Sequence, residues 1–290
     1  MRLAHENMGD VVLLDVAKGL AQGKAYDLED ARALLKLNYN IKGTDDINQI
    51  KDSSVVVITA GLARKPGMTR EDLLNKNAVI LRDVCFNIKK LAPEAIVIIV
   101  TNPLDLLTYF ALQFTGFNRN KVFGMGVTLD AARFVNLISK ELNVPAVTVE
   151  ACVIGSHGEG MLPLARYSKV NGVTLETLLD SKKVETLISG TIDRGREIVS
   201  LLGSGSAYFA PSAAITELVK AIVKDEKRVL GVSAYLNGEY GISDVCVGVP
   251  CRLGRNGIEQ IIELDLNAQE KESFQNCANK LKDQFASIAV

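Results

Sequence analysis

The stretch VVVITAG, residues 55–61, is continuously apolar, rich in β-branched residues and closed by a glycine. That texture is typical of a strand buried on both faces of a parallel sheet. Three other runs share it, at residues 11–16, 95–103 and 121–126, and residues 37–44 form a weaker, partly polar edge candidate. The segments between them read as helices, over residues 23–37, 70–91, 104–115 and 130–142. Strands that alternate with helices predict a doubly wound parallel α/β sheet.

The pattern changes after Pro145. The elements predicted beyond it are a strand over 147–158, helices over 175–202 and 206–224, an antiparallel meander over 229–266 and a helix over 268–285. Three turn signals support the meander: Asn237-Gly238, Tyr240-Gly241 and Asn256-Gly257. We therefore expect two domains, residues 1–125 and 126–290, of which the second has an α+β fold.

The composition narrows the class of protein. The 290 residues include 33 basic and 34 acidic side chains, so the net charge of −1 predicts neither a nucleic-acid surface nor a basic membrane patch. The five cysteines form no CxxC pair and no metal-ligand spacing, which indicates reduced thiols in a cytoplasmic compartment. No apolar run approaches the roughly 20 residues that span a bilayer. We expect a cytoplasmic protein with neither nucleic-acid nor membrane partners and without a metal.

Charged and polar residues follow two of the strand runs. Arg64, Lys65 and Arg70 come after VVVITAG, and Asn102 closes the run at 95–103. Ligands of open α/β sheets bind at the carboxyl ends of the strands, where two guanidiniums could clamp an anion in bidentate geometry. The alternatives are a solvated basic loop and, for Asn102, a plain Asn-Pro turn.

A second group of candidates lies further along the chain. Asp130 and Arg133 are three residues apart on a predicted helix and therefore lie on one face of it. The pair could contact a substrate or form a structural ion pair. His157, one of only two histidines, is followed by a glycine at the end of a strand. Histidine exchanges protons near neutral pH, so His157 is a candidate acid–base. A metal site at His157 is disfavoured, because no second histidine and no cysteine cluster lie near it in sequence.

Four motifs together resemble one enzyme family. They are TAGLARKPGMTREDLLNKN at 59–77, VTNPLDLLTY at 100–109, LDAARF at 129–134 and GSHGEGMLPLARYS at 155–168. In this order they are similar to the malate dehydrogenase branch of the lactate/malate dehydrogenase family, over almost the whole chain. The resemblance implies a Rossmann-type sheet, an NAD cofactor, a dicarboxylate substrate and a homodimer or homotetramer.

The resemblance also implies a role for each candidate residue. His157 would exchange the substrate proton, and Asp130 would orient its imidazole. Arg133 would bind the C1 carboxylate, Asn102 would contact the C2 oxygen, and Arg70 would polarise the carbonyl on a loop that closes over the site.

Two further residues would decide specificity. Arg64 stands where lactate dehydrogenases typically carry an uncharged glutamine, and its charge suits the second carboxylate of malate and oxaloacetate. Asp15, which closes the 11–16 run, would accept hydrogen bonds from the adenosine ribose and repel a 2′-phosphate, which favours NAD over NADP. Asn77, Val100 and Asn102 correspond to further cofactor contacts.

The start of the chain departs from the family pattern. The resemblance makes the 11–16 run the second strand of a sheet ordered 3-2-1-4-5-6. We therefore expect the first strand, and the GxGxxG turn that receives the pyrophosphate, to be missing from residues 1–290. Three interpretations stay open: an NAD-dependent malate dehydrogenase, a truncated or non-catalytic relative that binds the cofactor weakly, and a lactate dehydrogenase.

Overall fold

The computed structural model describes residues 1–62, 70–158, 160–203 and 205–286, without the side chains of residues 70–72. Its helices are α1 (Arg2–His5), α2 (Leu20–Leu35), α3 (Arg70–Leu91), α4 (Leu104–Thr115), α5 (Val127–Leu142), α6 (Leu175–Leu178), α7 (Ser181–Leu202), α8 (Phe209–Val223) and α9 (Ala268–Ala286). Its strands are β1 (Val11–Leu14), β2 (Ile41–Thr44), β3 (Val55–Ile58), β4 (Ile96–Ile99), β5 (Val122–Gly124), β6 (Val149–Gly155), β7 (Met161–Val170), β8 (Val173–Thr174), β9 (Arg228–Asn237), β10 (Ser243–Gly254) and β11 (Gly257–Ile261).

The strands form two sheets. Strands β1 and β2 pair in parallel as a sheet of two. Strands β3, β4 and β5 are parallel neighbours in a nine-stranded sheet. The sheet continues from β5 through β9, β10, β6, β7 and β8, and β11 pairs with β10. The parallel strands with crossover helices and the antiparallel second half confirm the predicted fold class, a Rossmann-type α/β half followed by an α+β half. The domain boundary at residues 125 and 126 stays a prediction.

One hydrophobic core joins the two halves. It contains Val97 of β4 and Phe123 of β5 together with Val232 of β9 and Val249 of β10, all fully buried. Helix α4 lies within it and packs against β5, β9, β10 and α9. The sheet itself crosses between the halves where Gly124 of β5 pairs with Ser233 of β9.

The first β–α–β unit has a small core of its own. Helix α2 lies against β2 at Gly43, where any Cβ would collide with the carbonyl of Ala21. Ala25 of α2 packs there with Tyr39 and Ile41. The unit is also tied to the second half through α1, which packs on α8.

Two details in the second half differ from the predicted elements. The helix predicted over 175–202 is divided into α6 and α7, because Asp180 caps α7 by accepting a hydrogen bond from the Lys183 N–H at 2.9 Å. The meander has its three strands, but the Asn237-Gly238 and Tyr240-Gly241 signals belong to one connection between β9 and β10.

Candidate active site

His157 lies in the short turn between β6 and β7. Its Nδ1 is 2.8 Å from Oδ2 of Asp130, and the Asp130 side chain, in the first turn of α5, is fully buried. A carboxylate in that position fixes the imidazole tautomer with Nε2 as the exchangeable site and stabilises the imidazolium. The His157 side chain is only 12% exposed, so any proton exchange there takes place in a largely desolvated setting.

Asp130 serves a second partner from the same helix. Its Oδ1 accepts a hydrogen bond from Nη1 of Arg133 at 2.9 Å. Across from α5, Gly195 of α7 leaves room for the guanidinium, since a Cβ there would stand 3.3 Å from Nη1. The sequence left open a structural ion pair or a substrate contact. The structure contains the ion pair, and Arg133 has four guanidinium N–H donors beyond it for a carboxylate ligand.

Opposing effects act on the pKa of His157. Burial lowers it, whereas the charge and hydrogen bond of Asp130, together with the charge of Asp105, raise it. The attraction of the two aspartates prevails, and the pKa of His157 lies above the ordinary 6.5. The imidazolium is therefore favoured until the pH exceeds that raised value.

The carboxyl ends of β3 and β4 are joined by Asn77 of α3. Its Oδ1 accepts from the Leu62 N–H at 2.7 Å, and its Nδ2 donates to the Asn102 carbonyl at 2.9 Å. Asn77 is buried and structurally engaged, whereas the Asn102 side chain is exposed and Val100 is half-buried. These residues lie at the carboxyl edge of the parallel strands, where ligands of such sheets bind.

The side-chain positions of two predicted site arginines are not described by the structure. Arg64, with its neighbour Lys65, lies outside the described residues, and Arg70 is the first residue of α3 with an undescribed side chain. Their proposed roles rest on the sequence.

Asp15 lies apart from the other candidates, at the carboxyl end of β1 in the two-stranded sheet. Its backbone N–H donates to the Thr44 carbonyl, and its Oδ1 accepts from the Ala17 N–H at 2.9 Å. The half-buried carboxylate retains acceptor sites for a hydroxyl pair. Its position fits the ribose contact of a dinucleotide.

The sequence analysis missed a third carboxylate, Asp105. It lies in the first turn of α4 and is 5% exposed. Its Oδ2 accepts from the backbone N–H of His157 at 2.8 Å, and its Oδ1 accepts from the Ser233 hydroxyl at 2.6 Å. The available signal was a single charge in the apolar helix sequence LDLLTYFAL.

The described part of the chain has neither a metal-binding cluster nor a membrane-spanning helix. No group of three or more histidine, cysteine, aspartate or glutamate side chains is arranged to hold a metal ion among the residues placed by the structure. In the same residues, no helix is both long and apolar enough to cross a membrane.

A parallel α/β sheet followed by an α+β half, with a histidine held by a buried aspartate, is the arrangement expected of a nicotinamide-dependent hydroxy-acid dehydrogenase. Residues 1–124 match the family described as lactate/malate dehydrogenase, NAD binding domain. Residues 127–289 match its partner, the lactate/malate dehydrogenase alpha/beta C-terminal domain. The chain belongs to the lactate/malate dehydrogenase family, and its first half is the family's NAD-binding domain.

Relatives within the family are similar over nearly their full length. The malate dehydrogenase of Methanosarcina barkeri is 46% identical over 289 residues, which cover 100% of this chain and 94% of that protein. The structure of malate dehydrogenase from Aeropyrum pernix superposes with a TM-score of 0.95 at 39% identity, over 99% of this chain and 93% of that one. Lactate dehydrogenase from Cryptosporidium parvum, complexed with lactic acid and the nicotinamide cofactor, has a TM-score of 0.94 at 36% identity, over 98% and 91%. The fold alone therefore does not separate the two substrates.

Proposed function

We propose that the chain is an NAD-dependent malate dehydrogenase, which interconverts malate and oxaloacetate. The observation that carries this is the hydrogen-bonded set of His157, Asp130 and Arg133, which places an acid–base beside a carboxylate-binding guanidinium. NAD, when bound, supplies the hydride acceptor for C2 of malate. The residues of the chain bind the substrate and move its hydroxyl proton.

His157 carries the proton in this proposal. With Nδ1 bound to Asp130, Nε2 is free to accept the proton from the C2 hydroxyl of malate. Malate oxidation requires the neutral imidazole, and oxaloacetate reduction requires the imidazolium. Because the pKa of His157 is raised, oxidation should increase as the pH rises through that value, while reduction should decline over the same range.

The remaining substrate contacts follow from the resemblance. Arg133 would bind the C1 carboxylate with the N–H groups that Asp130 leaves free, and Asn102 would contact the C2 oxygen. Arg70 would polarise the C2 carbonyl. Arg64 would pair with the second carboxylate, which a lactate-type substrate lacks. An arginine facing a methyl group would be buried without a partner, so Arg64 favours malate over the lactate alternative.

The cofactor contacts are proposed from the same resemblance. Asp15 would bind the adenosine ribose, and Asn77, Val100 and Asn102 would make further cofactor contacts. Burial of Asn77 and its hydrogen bond to the Asn102 carbonyl support a role in shaping the carboxyl edge of the strands. The printed sequence contains no GxGxxG motif, so we assign no residue to the pyrophosphate.

We further infer a homo-oligomer, a cytoplasmic location and a role in the tricarboxylic acid cycle. Exposed apolar side chains on α3, at the end of α7 and at the start of α8 support an oligomer, since such surface is normally covered. They include Phe86 (55% exposed), Leu201 (81%) and Phe209 (71%). Five free cysteines support a reducing compartment. Sedimentation velocity would show the oligomer, and a monomer at micromolar concentration would refute it.

The test of the activity compares substrates and an Arg64 variant. We expect NADH formation with malate and little with lactate, and Arg64→Gln should lower the oxaloacetate-to-pyruvate ratio of kcat/KM by about 30-fold or more, since one partner of a buried charge pair is worth ~2–5 kcal/mol. Lys65→Gln is the matched control for loss of a positive charge in the same loop. An unchanged ratio would remove Arg64 as the selector, and absent turnover with measurable NAD binding would favour the non-catalytic alternative.

A further inference from the structure

Asp105 is a buried carboxylate that the proton transfer described above does not use. It is held by three elements, since it lies on α4, accepts from Ser233 of β9 and accepts from the His157 N–H in the turn between β6 and β7. His157 is thus bound twice, at its ring by Asp130 and at its backbone by Asp105. Asp105 also lies three residues after Asn102 and so links that edge of the strands to the base.

The burial of this carboxylate is costly. Desolvation raises the pKa of Asp105 to about 6, although the Ser233 hydrogen bond and the neighbouring His157 oppose the rise. A purely structural link could be supplied by an uncharged amide, which costs less to bury. The charge therefore calls for a function that an amide would not perform.

We propose that Asp105 is a positioning residue for His157, which holds the turn through the backbone N–H and keeps a second negative charge beside the imidazolium. The hydrogen bond holds the backbone from which the His157 ring projects, while the charge favours the protonated imidazole. The two carboxylates divide the task, because Asp130 selects the tautomer and Asp105 fixes the backbone. The kinetic part of this inference rests on the proposed function, whereas the electrostatic part does not.

Other groups face the pair from neighbouring elements. Among the described residues they include Asp130 and Arg133 on α5, Cys246 on β10 and Cys277 on α9. Tyr109, Asp244 and Lys282 line a small cavity together with Asp105. Burial raises the pKa of both thiols, which stay neutral near pH 7. Arg133 opposes protonation of His157, and the two aspartates favour it. Removal of one aspartate charge should therefore lower the pKa of His157.

The first test uses the Asp105→Asn variant. Asparagine keeps an acceptor for the His157 N–H and removes the charge. The chain has only two histidines, so ¹⁵N-histidine NMR follows His157 directly, and His157→Asn assigns its signal. We expect the titration midpoint of His157 in Asp105→Asn to fall by about 0.5 to 1 pH unit relative to wild type. Ser233→Ala is the matched control, because it removes the other Asp105 partner and keeps the charge. It should shift the midpoint less, and an unmoved midpoint in Asp105→Asn, or equal shifts in both variants, would overturn the proposal.

The same variant predicts opposite effects on the two directions of the reaction. A lower His157 pKa shifts the pH dependence of both directions of the reaction to lower pH. The rate of oxaloacetate reduction at alkaline pH should therefore fall, while the rate of malate oxidation at acidic pH should rise. An equal loss in both directions at every pH would indicate a merely structural role and contradict the proposal. Wild-type protein without turnover would refute the proposed function alone, because the NMR titration still tests Asp105.

A reciprocal measurement covers the case in which Asp105→Asn fails to fold. Coupling between two titrating groups is mutual, so removing the imidazole should raise the pKa of Asp105. In wild type, ¹³C-carboxyl NMR should show an aspartate that titrates near 6, and in His157→Asn that midpoint should rise. A midpoint identical in the two proteins would overturn the inference.

Discussion

Strands β1 and β4 have similar sequences, VVLL and IVII, but they lie in different surroundings. In β1, Val12 and Leu14 are each 38% exposed, whereas no residue of β4 exceeds 4%. Among the described residues, strand β1 pairs with β2 alone, while β4 has β3 and β5 on its two sides and helix α4 packed against it. The same apolar texture is therefore buried only where neighbours cover it.

Polar groups show the same contrast. His5 Nε2 and Gln22 Oε1, beside β1 and β2, are buried without a hydrogen-bond partner, which costs about 1–3 kcal/mol for each group. Around His157 the side chains of Asp130 and Asp105 have partners at both carboxylate oxygens. The two aspartates beside His157 are thus fully hydrogen-bonded, whereas the first unit leaves buried polar atoms of His5 and Gln22 without partners.

The largest expected difference concerns activity. His157→Asn should lower kcat by about 10²–10⁴-fold, because it removes the proton carrier while roughly preserving its shape. Its melting temperature should stay near that of the wild type. Steady-state kinetics and circular dichroism check both statements, and a rate within a few-fold of wild type would remove His157 from the mechanism.

Stability should differ between the regions when their apolar residues are shortened. Phe134 lies on the buried face of α5, and Phe134→Ala should lower the free energy of unfolding by about 3–5 kcal/mol. Leu14→Ala, on the exposed face of β1, should cost less than about 1 kcal/mol. Denaturation by urea measures both. Equal losses would show that β1 is covered in solution by something else.

Hydrogen exchange should resolve the contrast along the backbone. Amides of β4 should exchange only on global opening, whereas those of β1 should exchange about 100-fold faster or more, through local opening of the first unit. Exchange detected by mass spectrometry on peptides from the two strands measures the ratio. Comparable protection would contradict the difference drawn from burial.

The smallest effect concerns Asp15. Asp15→Ser should raise the NADP-to-NAD ratio of kcat/KM by about tenfold, through loss of repulsion against a 2′-phosphate. Asp10→Ser, a charge removed before β1, is the matched control and should leave the ratio unaltered. If both variants change the ratio alike, general charge and not the ribose contact is responsible.

The sequence predicted the fold well where apolar runs were continuous. Helices α3 and α4 begin and end where expected, and the four central strand runs are strands, each shorter than its run. Boundaries set by local contacts were harder, as at Asp180, whose side chain starts a new helix within a segment of helical composition.

The site could be predicted only in part. The pairing of Asp130 with Arg133 follows from helix spacing, but the contact of His157 with Asp130 joins positions 27 apart and came from the resemblance. Asp105 contacts residues that are 52 and 128 positions away in the sequence. The periodicity of apolar residues does not predict contacts between positions so far apart. Arg64 stays a prediction from sequence.

The pairing of Gly124 with Ser233 continues the nine-stranded sheet from the first half of the chain into the second. The apolar side chains of the two halves share one core. The nucleotide-binding half therefore cannot be exchanged as an independent domain. A chimaera that joined residues 1–125 to the second half of a distant relative would have to rematch the packing around α4 as well as the junction. Cofactor preference in this chain is better altered by single substitutions at strand ends than by transplanting the whole half.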